Sequence, residues 1–408
     1  MTKISENFEI RPLRIRHFFS NPMIGGAESF ALSISPFWQR MGHDVTVVNL
    51  WNGGGGLKKA CEKEGIPITL IDAGCRRFYL KAISKVHRFV QSDQVDINLV
   101  YGVRLQLLMR LIRSGCNTSQ WITMLRGQNP WRKNWHSLLD RWTQGRFSCH
   151  VGCSREICRT WAVRERYHAD RLFYIPNGIA LSQYPQLPKK LQARAELNLP
   201  ANAILAITVA NLRPIKGHKF FLNSLAEIAD WIRTTQLYFL WLGSDMGLWE
   251  KMRAQLSRMG LTDRVIYRGA VHNIPQYLEA SDFFILPSES EGMPRALMEA
   301  MAASLPVVAT NVGGTPDVLR DEVDGFLVDY GDKLTLADRI RKMVLSESIR
   351  KAMGKSARER IETTFDMETI AAEYVKLFWL MQNSSLGNMT HRLEAYQLKT
   401  PYSWINEE

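Results

Sequence analysis

The sequence predicts an α/β protein made of two doubly wound domains, each with a parallel sheet. Three observations carry that expectation. The chain has 408 residues, more than one ordinary hydrophobic core organises. Short apolar runs alternate with helix-period stretches twice over, before and after a polar, proline-flanked segment at 185–200. Loops rich in glycine or charge also follow several strands and lead into helices, which is where ligands bind such sheets.

In the first half, strands are predicted at 14–19, 45–50, 66–71, 97–101, 121–125, 149–153 and 172–175. Helices are predicted between them at 27–41, 57–64, 79–92, 104–114, 134–146 and 154–166. Pro176-Asn177-Gly178 then reads as a turn. In the second half, strands are predicted at 203–210, 237–243, 264–268, 282–286, 306–310 and 325–329. Helices are predicted there at 217–233, 247–259, 274–280, 294–303, 315–320 and 333–346. A last helix at 367–382 carries Ile370, Tyr374, Leu377, Phe378 and Met381 at helical spacing. The expected boundaries are therefore 1–184, 185–366, a helix at 367–382 crossing back to the first domain, and a loosely held tail at 383–408.

Composition narrows the function. Apolar residues make up 46% of the chain, but no run of eighteen exists, so no membrane-spanning helix is expected. The first residues lack an apolar leader, which points to a cytoplasmic protein. Six cysteines lack paired CxxC spacing, so buried thiols are expected rather than a zinc site. The net charge of +12 is uneven: residues 1–180 hold 26 Lys plus Arg against 13 Asp plus Glu, and the remainder 26 against 27. Those cations interleave with Trp131, Trp135, Trp142, Phe147 and Trp161, a mixture suited to an anionic membrane surface. Nucleic acid is a weaker partner for the same surface.

The chemistry concentrates in Ser288–Ala302, between two strands. Glu291 lies in the loop and Glu299 inside the helix predicted to start near Pro294. The backbone N–H groups of Gly292, Met293 and their neighbours form an anion cradle at a helix start. Two acids beside such a cradle suit a phosphorylated, polyhydroxylated ligand, and a sugar nucleotide satisfies both. In Asn211-Leu212-Arg213-Pro214-Ile215-Lys216-Gly217, Arg213 and Lys216 are placed to hold a diphosphate. Gly25-Gly26 follows the first strand without the six-residue dinucleotide fingerprint, which disfavours NAD. Each motif alone also reads as an ordinary solvated helix face, basic loop or tight turn.

Taken in order, Gly25-Gly26-Ala27-Glu28, Pro176-Asn177-Gly178, Lys216-Gly217, the Glu291–Glu299 pair and Pro306-Val307-Val308-Ala309-Thr310 resemble the retaining glycosyltransferase family 4, of GT-B fold. The likeness runs from about 14 to 382. It implies two Rossmann-like domains facing across a cleft and a nucleoside-diphosphate sugar, UDP- or GDP-linked, as donor substrate, without metal or cofactor. It assigns Glu299 to the donor ribose, Glu291 to the donor sugar, Lys216 to the diphosphate, and Gly292, Met293 and Pro294 to backbone contacts with sugar and phosphates. Gly269-Ala270-Val271 matches the stretch whose backbone meets the base, and Gly26 and Arg126 are expected to close on the donor from the first domain. The sequence departs from the family at Asn211, where an arginine is common, with Arg213 as the substitute charge. It departs again at Arg126, where many members carry histidine, and at Ala180, Ser304 and Asp317. The implied reaction is sugar transfer, with retention, to a hydroxyl of a lipid-linked glycan or surface polysaccharide. The alternatives are a sugar-nucleotide epimerase, which needs no acceptor, and a non-enzymatic protein binding membrane or nucleic acid through its basic half.

Overall fold

The computed structural model describes residues 11–21, 23–50, 55–71, 79–92, 94–112, 119–127, 134–185 and 189–383. The expected tail beyond 383, Trp131, Cys75, Cys116 and the 128–133 part of the N-terminal loop lie outside them.

The chain folds into two units, residues 1–178 with 367–408, and 179–366. Residues 179–184 thus fall in the second unit rather than the first. The first unit holds strands β1 (Arg14–Phe19), β2 (Asp44–Asn49), β3 (Ile68–Leu70), β4 (Ile97–Tyr101), β5 (Gln120–Leu125), β6 (Cys149–Gly152) and β7 (Leu172–Tyr174). They form one parallel sheet in the order β3-β2-β1-β4-β5-β6-β7. Alternate side chains feed different cores: Ile15, Leu99 and Ile122 pack on one face, Phe18, Val100 and Trp121 on the other. Burial on both faces is why these strands read as continuous apolar runs. The second unit holds β8 (Ile204–Val209), β9 (Leu237–Leu242), β10 (Val265–Gly269), β11 (Phe283–Leu286), β12 (Val307–Thr310) and β13 (Gly325–Val328). Their order is β10-β9-β8-β11-β12-β13, again parallel.

Both sheets reverse direction beside their first strand, between β1 and β4 and between β8 and β11. Loops diverge at such a switch point and leave a crevice at the carboxyl ends of the strands. The chain leaves the first unit at Gly178 and returns at Met367. A Cβ at Gly178 would press on the Met367 backbone, so only glycine fits there. The Met367–Asn383 helix then packs into the first core: Tyr374 and Phe378 lie edge-on to Trp38, whose indole N–H donates to Ala371.

Several expectations are corrected. The 185–200 segment is not a plain connection, because Lys190–Glu196 is a helix of the second unit. Its Arg194 is buried, donating to Asp282 at 2.7 Å and to three backbone carbonyls. The helix expected at 217–233 is broken into His218–Ala226 and Ala229–Thr234. An eighteen-residue helix, Glu347–Thr364, went unpredicted. Of the aromatic residues read as a surface, Phe147 and Trp161 are core, while Trp135 and Trp142 are exposed.

Candidate functional site

The loops after β8 and β11 meet at the second switch point. Gly217 sits at φ +70°, and a Cβ there would overlap the carbonyl oxygen of Pro287. Glycine therefore lets the two loops touch, and the Glu289 N–H donates to the Ile215 carbonyl at 2.9 Å. Gly313 does the same from the other side, its Cα lying against the Glu291 carbonyl. Ser288 is fully buried; its Oγ donates to Glu291 Oε1 at 2.6 Å, and Thr310 Oγ1 donates to the Ser288 carbonyl. So held, Glu291 receives Lys216 Nζ on the same Oε1 at 2.8 Å. Among the described residues nothing bonds Oε2. The lysine is part-exposed and the glutamate 9% exposed, so the pair faces the crevice.

The following helix spans Arg295–Ala302, with Pro294 as an extended N-cap rather than its first helical residue. Among the described residues no side chain caps it, and the partial positive charge of a helix start attracts an anion. Glu299 lies one turn in, 9% exposed, and accepts from Arg295 Nε at 2.7 Å. The charge of Glu299 adds to burial in raising the Tyr184 phenol's pKa. Met293 is buried, Gly292 half-buried, and Val271 half-buried after the left-handed Gly269.

Asn211 has a structural task here: its Oδ1 accepts from the Ser244 N–H at 2.9 Å, tying the loop after β8 to the loop after β9. The Arg213 carbonyl accepts the Lys216 N–H at 3.0 Å, and the Arg213 side chain is exposed. It lines a separate cavity of about 290 Å³ with Pro214, His218 and Lys251. Both ring nitrogens of His218 are buried without a partner, and burial, aided by Lys216, lowers its pKa to about 4, so the ring is neutral. Sequence reasoning missed Ser288, whose signal was only its place three residues before Glu291.

The first unit shows a different pattern. Gly25 caps the Gly26–Arg40 helix, and Glu28 Oε2 accepts the Gly25 N–H at 3.0 Å. The chain's own carboxylate thus takes one donor of this helix start, while among the described residues an ideal Cβ at Gly26 would meet nothing within 4 Å beyond its own neighbours and helix backbone. Burial raises the Glu28 pKa. Arg126, after β5, is spent internally: it donates to Asn177 Oδ1 at 2.5 Å and to the Tyr374 hydroxyl at 2.9 Å, and stacks 3.6 Å over Phe30. Cys61, Cys149, Cys153 and Cys158 are buried and form no disulfide among the described residues, where no cluster of three metal-ligating side chains occurs either.

Two family models match this chain. One, described as Glycosyltransferase Family 4, covers residues 24–183, and the other, Glycosyl transferases group 1, covers 203–346. The chain belongs to glycosyltransferase family 4. It is therefore a glycosyltransferase, with the two-domain α/β architecture of the GT-B fold. An Escherichia coli relative, UDP-Gal:alpha-D-GlcNAc-diphosphoundecaprenol alpha-1,3-galactosyltransferase, is 22% identical over 87% of this chain and 94% of its own length. Other curated relatives match over about half of their length. A solved glycosyltransferase from Rickettsia africae superposes with a TM-score of 0.82 at 18% identity, covering 92% of this transferase and all of the other chain. Anabaena HepE, solved in complex with UDP, gives 0.78 at 21% identity, over 90% and 99% of the two chains.

Proposed function

We propose that this transferase moves a sugar, with retention, from a nucleoside-diphosphate sugar to a hydroxyl of a lipid-linked glycan or surface-polysaccharide precursor at the inner face of a membrane. The observation that carries the donor half is the Lys216–Glu291 pair at the β8/β11 switch point. Donor binding exchanges partners: Lys216 turns its charge to the diphosphate, and Glu291, still held by Ser288, offers Oε2 to sugar hydroxyls. Glu299 keeps one oxygen on Arg295 and presents the other to the ribose. Backbone groups of Gly292, Met293 and Pro294 meet sugar and phosphates, and that of Val271 meets the base. As the glycosidic bond breaks, Lys216 and the helix start after Pro294 stabilise the departing diphosphate. The leaving phosphate accepts the acceptor's proton, so no protein nucleophile and no metal is required.

The acceptor class rests on the Escherichia coli relative, whose name specifies a diphosphoundecaprenol-linked acceptor and UDP-galactose. No helix among the described residues is long and apolar enough to cross a membrane. A thermal-shift screen across UDP- and GDP-sugars tests the reading, since a bound donor raises stability by mass action. UDP-galactose is the first candidate. Stabilisation by one donor, lost in Glu299→Ala, supports it; no shift with any sugar nucleotide would sink it.

A further inference from the structure

Trp135, Leu138, Leu139 and Trp142 fall at i, i+3, i+4 and i+7 of the Asn134–Thr143 helix, a single apolar stripe. On an ordinary surface helix that stripe faces the core. Here it faces outward, with exposures of 54%, 63%, 41% and 88%. The polar face is the buried one: His136 is 7% exposed and Asp140 not at all. Asp140 forms a fully buried ion pair with Arg110, which also donates to the Tyr167 hydroxyl at 2.9 Å and to Thr123 Oγ1. Rolling the helix to hide its tryptophans would strand the Arg110 guanidinium in the core, so the inverted orientation is locked.

The rim of the stripe is basic. Arg141 donates to the Arg164 carbonyl at 3.0 Å, and Arg146 to the Arg110 carbonyl at 3.1 Å, which sets these cations beside the helix. Of the acids between 140 and 166, Asp140 and Glu165 are buried, and Glu156 is half-buried where it accepts from Thr160.

We propose that this helix face seats the protein on an anionic lipid surface, with the tryptophans and leucines at the headgroup–acyl boundary and the arginines among the phosphates. Charge complementarity selects this occupant: Arg141 and Arg146 flank an aromatic and aliphatic stripe, as lipid headgroups require. The inference rests on the membrane-borne acceptor proposed above, and it names the element that meets the membrane.

Co-sedimentation of the full chain with vesicles tests it. The chain pellets with vesicles of roughly three parts phosphatidylcholine to one part phosphatidylglycerol, stays in solution with phosphatidylcholine alone, and is released by salt. The double substitution Leu138→Ser with Trp142→Ser lowers the vesicle affinity about ten-fold or more, by removal of exposed apolar area. It leaves the melting temperature unchanged, because both side chains are exposed. Leu345→Ser, equally exposed in the second unit, binds as the parent does. A parent chain that ignores anionic vesicles, or a double variant that still pellets, overturns the proposal. So does a parent dimer that the double substitution dissociates without any vesicle binding, which would make the face a protein interface. UDP titration separates the two readings: absent UDP affinity with intact vesicle binding removes the donor assignment and leaves this one standing.

Discussion

Arg126 and Lys216 each follow a strand of a parallel sheet, one in each unit, yet their charges are used differently. Arg126 is enclosed by Asn177, Tyr374 and Phe30, so its donors hold the returning C-terminal helix to the first core. Lys216 has one partner, Glu291, across an accessible crevice. A charge bound by several fixed groups is structural, because releasing it leaves each of them unsatisfied. A charge held by one carboxylate at a switch point can trade that partner for a ligand. The same contrast holds for Asp140, locked on Arg110, against Glu299, which shares only one oxygen with Arg295.

The contrast can be broken or sharpened by substitution, beginning with the largest effect. Asp140→Ala leaves Arg110 buried without its counter-charge and is expected to cost about 3–5 kcal/mol in urea unfolding. Replacing both partners by apolar residues should recover most of that loss. Tyr374→Phe removes a bond to a charged guanidinium and is expected to cost about 1.5–3 kcal/mol. Its effect on UDP affinity should be nil, which circular dichroism melts and calorimetry check together.

A pH series probes the second unit. Burial holds the His218 pKa at about 4 in the fold, below the ordinary histidine value of 6.5. The unfolded chain therefore binds more protons between those values, and stability falls as pH drops from 6.5 toward 4. His218→Phe should flatten that part of the urea-midpoint profile. The smallest effect is at Ser304, which sits at φ +62°, in the left-handed region that favours glycine. Ser304→Gly is expected to stabilise by roughly 1 kcal/mol without altering donor affinity.

The strands were legible because burial on both faces leaves uninterrupted apolar runs, whereas the switch points are seen only in the observed strand order. What escaped was structure held by polar or small residues. The Glu347–Thr364 helix buries Met353, Gly354, Ala357, Arg358 and Ile361, too little apolar surface to show a stripe. Gly354 is there so that the helix can approach the Ser304 carbonyl, and Arg358 caps buried carbonyls of Tyr184 and Ala302. The Lys190–Glu196 helix was hidden for the same reason, its anchor being the buried Arg194. Interleaved tryptophans and arginines showed that a basic aromatic region exists, but not that Trp161 points inward and Trp142 outward. At the candidate site, spacing alone did not distinguish Glu291, Glu299 and Lys216 from a solvated helix face and a basic loop; the ordered motifs and the family resemblance singled them out, and the structure sets Lys216 on Glu291.

Calorimetric titration of UDP into the parent, Lys216→Ala and Arg126→Gln tests the central claim most directly. Lys216 is part-exposed and its loss should cost little stability, about 1 kcal/mol or less. UDP affinity is expected to fall about ten-fold or more in Lys216→Ala, the loss of a charge-assisted contact to phosphate. It should stay at the parent value in Arg126→Gln. Parent affinity in Lys216→Ala, with binding lost in a folded Arg126→Gln, would contradict the assignment of the donor to the second unit.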